Sequence, residues 1–533
     1  MNSFKKVITG ISVLSISALL SMNSVEAVSV KAYGPISHLK ISQKARYDAQ
    51  AEYGESATEI VSVDYKLQRA YSINGALNAI DILDLKGLKH DKLPLIKRVL
   101  LKDLGIKGSD ITSVAVNTKH HYIAVSIPAE NKTDKGTIAF LTPDGKLLSK
   151  VKVGSLPDMV TFTSDYKTLL SANEGEPNDA YTVNPEGSVS IIKVNPYGKV
   201  KQSHVKTVRF DKKLIHKDVR NLGRNALESF NNLEPEYITI DAKNRYAYVS
   251  IQERNAIAKL DIAKGKFVKV KGLGYKSYQT SKIDVSDKDG KANMQNYPLF
   301  GMYQPDGVAK VEFKGKTYIL TANEGDSQDY KGFSEETRVQ DIKDHFNPSS
   351  RYLKGFDLGL FDDKKSMGRL KTSTFSPFTT NGKYDVPVTF GGRSFSVLDG
   401  DSLKRVYDSK DDFESIVLTA DKDAFNSDQE TRGKIEFDSR SDDKGVEPES
   451  VTVGKVNKHT YAFIGLERAN GIMVYNIDNP TKPKFETYFK SNDNGDISPE
   501  GITFISKKDS PTKQAMLLVS HEMSGTIAAY ELK

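Results

Sequence analysis

One short pattern recurs along the chain and limits what it can fold into. A proline followed by an acid opens an alternating strand, a polar turn, a second strand, an acidic loop and a third strand. Glu234-Pro235-Glu236, Glu447-Pro448-Glu449, Ser498-Pro499-Glu500 and Leu156-Pro157-Asp158 each begin such a unit. A fifth begins at Gln304-Pro305-Asp306, runs into a long excursion, and has a closing strand at Arg393–Leu398. Two weaker copies lie around Ile60 to Leu85 and Ile111 to Leu141. Strict alternation, as in Tyr246–Ile251, has the two-residue period of half-buried strands, and no segment sustains a helical period. Seven antiparallel units in series predict an all-β chain folded as a seven-bladed β-propeller. The absence of Trp removes the Trp-Asp repeat class but not the fold.

Seven blades of roughly 40 to 45 residues use about 300 residues. The remainder is expected as insertions at about 211–232, 264–303, 331–390 and 403–446, all rich in Asp, Lys, Ser or Gly and crowning one face. Residues 55–533 then form one propeller domain, residues 28–54 a lead-in, and residues 1–27 a secretory signal. Lys5 and Lys6 precede the apolar run Val7 to Leu20, and Val25-Glu26-Ala27 offers small residues at the cleavage positions. No later stretch has the length and apolarity of a membrane span. A Cys-free chain with such a leader predicts a secreted, extracellular monomer of the Gram-positive export type, held at most non-covalently. The formal charge of +7 over 533 residues is mild and contains no dense basic block, which argues against nucleic acid as partner.

The repeats put acids at equivalent places. The residue after each proline gives Asp158, Glu236, Asp306, Glu449 and Glu500, an expected axial acidic ring. The loop after each second strand gives Glu130, Glu174, Glu253, Glu324, Glu467 and Glu522. In a propeller both positions emerge on one face near the channel. Carboxylates so crowded must be protonated, paired with Arg such as Arg254 and Arg468, or bound to a cation. Hard oxygen donors suit Ca²⁺ or another divalent cation, and the His pattern offers no zinc site.

Two loops concentrate short oxygen side chains: Ala172–Asp179, with Asn173, Glu174 and Asp179, and Ala322–Tyr330, with Asn323, Glu324 and Asp326. They are candidate metal ligands, although neither matches the twelve-residue helical calcium loop. The run Phe437–Glu449 adds Asp442 and Asp443 as candidate ligands and Arg440 as a phosphate grip, with Arg393 beside it. His521 is the one histidine in a repeat loop, but no GxSxG accompanies it, so acyl transfer is disfavoured. Walker and dinucleotide glycine patterns are missing from the sequence, so no nucleotide cofactor is expected.

Five motifs in order, at 172–178, 184–189, 321–327, 391–396 and 438–449, resemble the choice-of-anchor I family across essentially all of 55–533. The resemblance implies an extracellular, seven-bladed, quinoprotein-like propeller. Its relatives are labelled phosphatase- or phosphoesterase-like, or resemble a mesenchyme-specific surface glycoprotein, and it carries no agreed catalytic residues. Val446 and Val397-Leu398 depart from the residues relatives tend to carry there. Two functions are therefore expected. One is a cation-binding propeller that holds a small anionic ligand on its acidic, Arg-flanked face and hydrolyses a phosphoester. The other is a non-catalytic module that binds a cell-surface polymer or protein. A quinone-dependent oxidoreductase is weaker, because such sites use a stacking Trp that this chain lacks.

Overall fold

Alternating strands with apolar residues on both faces must be covered on both sides, and the chain meets that demand by stacking sheets around an axis. In the computed structural model, which describes residues 28–30, 32–34 and 38–533, the repeats form seven sheets with four antiparallel propeller strands each. The signal segment lies outside the described residues. The first blade runs from Val61–Asp64 outward to Leu95–Leu100 and the second from Ser113–Asn117 to Leu147–Ser155. The third runs from Pro157–Phe162 to Val205–Arg209 and the fourth from Ile238–Ile240 to Lys266–Gly272. The fifth runs from Val308–Phe313 to Arg405–Asp408 and the sixth from Pro448–Val456 to Lys484–Lys490. The innermost strands touch one another in sequence and the seventh meets the first, closing the ring.

The seventh blade takes Pro499–Ile505, Ala515–His521 and Thr526–Leu532 from the carboxyl end and its outermost strand, Ile41–Asp48, from the amino end. The stretch expected as a lead-in thus belongs to the propeller. Its signal was the alternation Ile41, Gln43, Ala45, Tyr47, all of which face inward. Two insertion boundaries move for a related reason. Lys266–Gly272 and Arg405–Asp408 are outer strands of the fourth and fifth blades, whose exposed lysines and arginine hide the strand period.

Apolar burial is divided among seven clusters, one between each pair of neighbouring blades. The insertions add a layer with cores of their own, built on Tyr278, Leu299, Phe346 and Leu370, and on Met302, Val388 and Phe390. That layer contains the helix Asp412–Ala420, which sequence periodicity did not reveal because only its Phe413 and Val417 are buried apolar residues. Arg393 ties the layer together. Its buried guanidinium bonds Glu414 at 2.7 Å and the carbonyls of Asp284, Ser441 and Asp443 at 2.7–2.9 Å.

Candidate functional site

Each innermost strand is entered through a loop at the same end of the ring, and the residue at that threshold points toward the axis. The seven thresholds are Glu59, Thr112, Asp158, Glu236, Asp306, Glu449 and Glu500, and all seven line one cavity of about 280 Å³. At Leu156, Gln304, Glu447 and Ser498 the residue before the Pro-acid pair has φ between 44° and 63°. A left-handed non-glycine residue costs free energy, and here it bends the chain where the carboxylate is presented. Glu174, Glu253, Glu324 and Asp326 reach the cavity from the loops that leave the second strands. Below, Met159 and Tyr237 separate it from an uncharged lower chamber of about 310 Å³.

Burial dominates the chemistry of these acids. It pushes Asp158 and Asp306 up to about 7 and Glu59 and Glu253 up to about 8, with neighbouring carboxylates adding to the rise. Glu174, Glu236, Glu449 and Glu500 are driven well above the ordinary range for the same two reasons. Asp306 and Glu449 share a hydrogen bond.

Three groups of carboxylates bring ligand atoms within 4.8 Å of one another, and they differ in what neutralises them. Around Glu324, Glu447 and Glu467 the protein supplies its own cations. Arg440 lies 2.5 Å from Glu447, Arg468 3.2 Å from it, and Lys444 2.6 Å from Glu324. Burial alone would raise Glu447, yet Lys444, Arg440 and Arg468 hold it well below the usual carboxylate range. Around Asp306, Glu324 and Glu449 the same Lys444 serves, helped by Gln252, which donates to Glu324 at 2.8 Å.

The third group, Glu174, Glu234 and Glu253, has no ion-pair partner among the described residues. Gln328 donates to one oxygen of Glu234 at 2.8 Å, but Oε2 of Glu234 and Oε2 of Glu253 are buried without a hydrogen bond. Arg254, next to Glu253 in sequence, turns away and gives its guanidinium to the carbonyls of Arg220 and Ser229. Arg220 is taken by Glu335 and by the Glu253 carbonyl.

The other sequence candidates separate. Asn173 and Asn323 each tie two neighbouring strands of their own blade: Asn173 Nδ2 donates to the hydroxyls of Ser188 and Ser190, and Asn323 Nδ2 to those of Ser394 and Ser396. Their Oδ1 atoms, the ones a cation would take, accept from the hydroxyls of Ser171 and Thr321 at 3.2 and 2.8 Å. Asp179 is exposed and pairs with Lys331 at 3.6 Å, away from Glu174. Asp442 is gripped by Arg338 and Arg369, and Asp443 by Arg440 and Lys371, so the acidic run near 440 is an ion-pair network. Arg393 is 1% exposed and both its terminal nitrogens are taken by protein groups, which corrects its reading as a phosphate grip. His521 is fully buried, its pKa lowered by burial, and it does not line the axial cavity. Arg440 does line a pocket of about 410 Å³, with Lys371 and Lys444, and this pocket shares Asp326 with the axial cavity.

Sequence reasoning missed the thresholds of the two weak copies, Glu59 and Thr112, because neither follows a proline. In the sequence Glu234 stands out only as the opening of a repeat. The signal for Glu234 was its place in Glu-Pro-Glu, where one acid faces the axis and the other the insertion layer.

The family motifs carry structure as well as acids. Gly325 (φ +100°) and Gly391 (φ +76°) pack backbone on backbone, so a Cβ on Gly325 would lie 2.3 Å from the Cα of Gly391. Among the described residues no helix is long and apolar enough to cross a membrane.

The family model of the choice-of-anchor I domain matches residues 59–480. Gigasin-3a of Magallana gigas is 30% identical over 184 residues, 31% of this chain and 65% of that protein. The mesenchyme-specific cell surface glycoprotein of Strongylocentrotus purpuratus is 26% identical over 285 residues, 48% of this chain and 37% of that protein. The chain therefore spans less than two thirds of either relative. Among solved structures, hydrazine synthase of Kuenenia stuttgartiensis aligns with 90% of this chain and 97% of its own at TM-score 0.45 and 10% identity. A chain of the mitotic checkpoint complex aligns with 98% of this chain and 99% of its own at TM-score 0.47 and 7% identity. The propeller assignment rests on the closed ring of seven sheets rather than on these distant likenesses.

Proposed function

The chain belongs to the choice-of-anchor I family, and we propose that it is an extracellular binding module that takes a divalent cation beside its axial cavity, where Glu174 and Glu253 of the cavity lining meet Glu234 on the side of the insertion layer. The observation that carries this reading is the contrast between the three carboxylate groups. Two contain Lys444, and one of those also Arg440 and Arg468, while the third keeps two buried carboxylate oxygens without a partner. A buried charge without compensation is costly, and three converging carboxylates are the hard donor set that Ca²⁺ accepts. A bound cation would supply the missing positive charge and fix the loops that carry Glu174 and Gln328. An anionic ligand would then sit in the neighbouring pocket, against Lys371, Arg440 and Lys444. Extracellular placement draws support from the leader-like amino terminus and from the surface glycoprotein among the relatives.

The test is elemental analysis of the purified protein, followed by chelation and calorimetric titration with Ca²⁺. One tight site that is lost in a Glu234→Gln, Glu253→Gln double variant is the expected result. Absence of any site at millimolar Ca²⁺ would sink the reading. A second reading, phosphoester hydrolysis, is favoured by one observation: the pocket with Lys371, Arg440 and Lys444 adjoins the axial cavity at Asp326. The binding-module reading expects no metal-dependent release of phosphate from an aryl phosphate, and sustained turnover abolished by chelation would favour the enzyme instead.

A further inference from the structure

The outer edges of the second, third and fourth blades form one continuous flank. Gln202 joins the second blade to the third by two hydrogen bonds to the Lys152 backbone at 2.8 and 2.9 Å. Lys206 Nζ joins the third to the fourth by donating to the Lys264 carbonyl at 2.9 Å. From Val194 to Phe210 the sequence has no carboxylate. Lys150, Lys152, Lys199, Lys201, Lys206 and Lys266 are all exposed on this flank. Several acids around it are engaged: Glu186 pairs with Arg209, Asp218 with Lys271 and Asp261 with Lys264, while Asp211 caps its own turn. Ten of the chain's 69 carboxylates line the axial cavity, so the exterior is more basic than the formal +7.

An aromatic ring stands among these lysines. Tyr197 is 75% exposed, and its loop is held rigid by Asn195. The Asn195 side chain accepts from the amides of Tyr197 and Lys199 at 2.9 and 3.2 Å and donates to the Lys199 carbonyl at 2.5 Å. A preorganised aromatic face spends little entropy on binding. Protection of edge strands accounts for lysines on the outer strands, but it gives no reason for a rigid loop that presents a tyrosine beside Lys199 and Lys201.

We propose that this flank binds a linear anionic polysaccharide, with the lysines matching its charges and Tyr197 stacking on a sugar ring. Single-stranded nucleic acid fits less well, because its platforms use successive aromatic rings and this flank presents one. The inference is independent of the axial cation.

The test uses the whole purified protein and labelled dextran sulfate, neutral dextran and oligo-dT, with and without chelator. Dextran sulfate should bind with an affinity that falls steeply with salt, neutral dextran should not bind, and chelation should change nothing. Reversing Lys150, Lys199 and Lys201 to Glu, none of which bridges two blades, should weaken binding at least tenfold with the melting temperature unchanged. Reversing the exposed Lys354, Lys364 and Lys383 elsewhere should leave it within about twofold, since only local charge counts beyond a Debye length. Tyr197→Ala should cost about fivefold on dextran sulfate, in line with one lost stacking contact. The proposal is overturned if the control triple loses as much as the flank triple, if oligo-dT binds as tightly as dextran sulfate, or if Tyr197→Ala has no effect.

Discussion

Glu253 and Lys444 occupy comparable positions at the rim of the axis but answer the same electrostatic problem in opposite ways. Lys444 sits within reach of Glu324, Glu447 and Asp326, so Lys444→Met leaves buried carboxylates uncompensated. That change should destabilise the protein by about 3–5 kcal/mol, read from urea unfolding, whereas a loss under about 1 kcal/mol would mean that solvent already neutralises the group. Glu253→Gln removes a like charge from a group that lacks a cation. In chelator at pH 8 the variant should melt higher than the parent, and with Ca²⁺ present it should melt lower. A variant that melts lower in both conditions would show a purely structural role for Glu253. At this scale the sequence made the acids legible, because Pro-acid pairs mark them, but it hid their partners. Arg254 and Arg468 both follow a glutamate, yet only Arg468 turns back to pair with acids, at 3.4 Å from Glu467 and 3.2 Å from Glu447. That difference is set by the insertion layer, which offers Arg254 the carbonyls of Arg220 and Ser229 instead.

Among the elements, the strand that closes the ring bears the most consequence for its length. Ile41–Asp48 pairs along Thr526–Leu532 and latches the seventh blade to the first through Tyr47, which donates to Asp81 at 2.9 Å, where Arg98 also binds. A chain beginning after Asp48 should leave Thr526–Leu532 as a bare, apolar edge and should aggregate or lose its cooperative melt. A soluble truncated chain with an unchanged melting curve would contradict this. Tyr47→Phe is milder and should cost about 1 kcal/mol, the worth of one hydrogen bond. The blades were readable because period-2 alternation survives wherever both faces of a strand are buried. Ile41–Asp48 was passed over because it lies far from the repeats it completes, and Lys266–Gly272 because solvent-facing lysines interrupt its pattern. The helix Asp412–Ala420 was passed over because it is held by packing of only a few residues and not by a long apolar stripe.

For the molecule as a whole, a ring of blades concentrates one threshold residue per repeat on a single axis, so a modest sequence preference for acids becomes an intense local field. The same geometry leaves the rim to the basic side chains. The pH dependence of stability follows from the raised acids. Asp158 and Asp306 titrate near 7 and Glu59 and Glu253 near 8 in the folded protein, against about 4 when unfolded. The folded state therefore holds more protons across that interval, and the stability of the metal-free protein must fall as pH rises from about 4 to 8. A cation beside the cavity replaces those protons and should flatten the slope. The most direct measurement is the melting temperature from pH 5 to pH 8.5, taken once in chelator and once in millimolar Ca²⁺. The account predicts a curve that falls with pH in chelator and stays level with Ca²⁺, the two separating above about pH 6. Curves that coincide across the range would contradict a cation-binding axis.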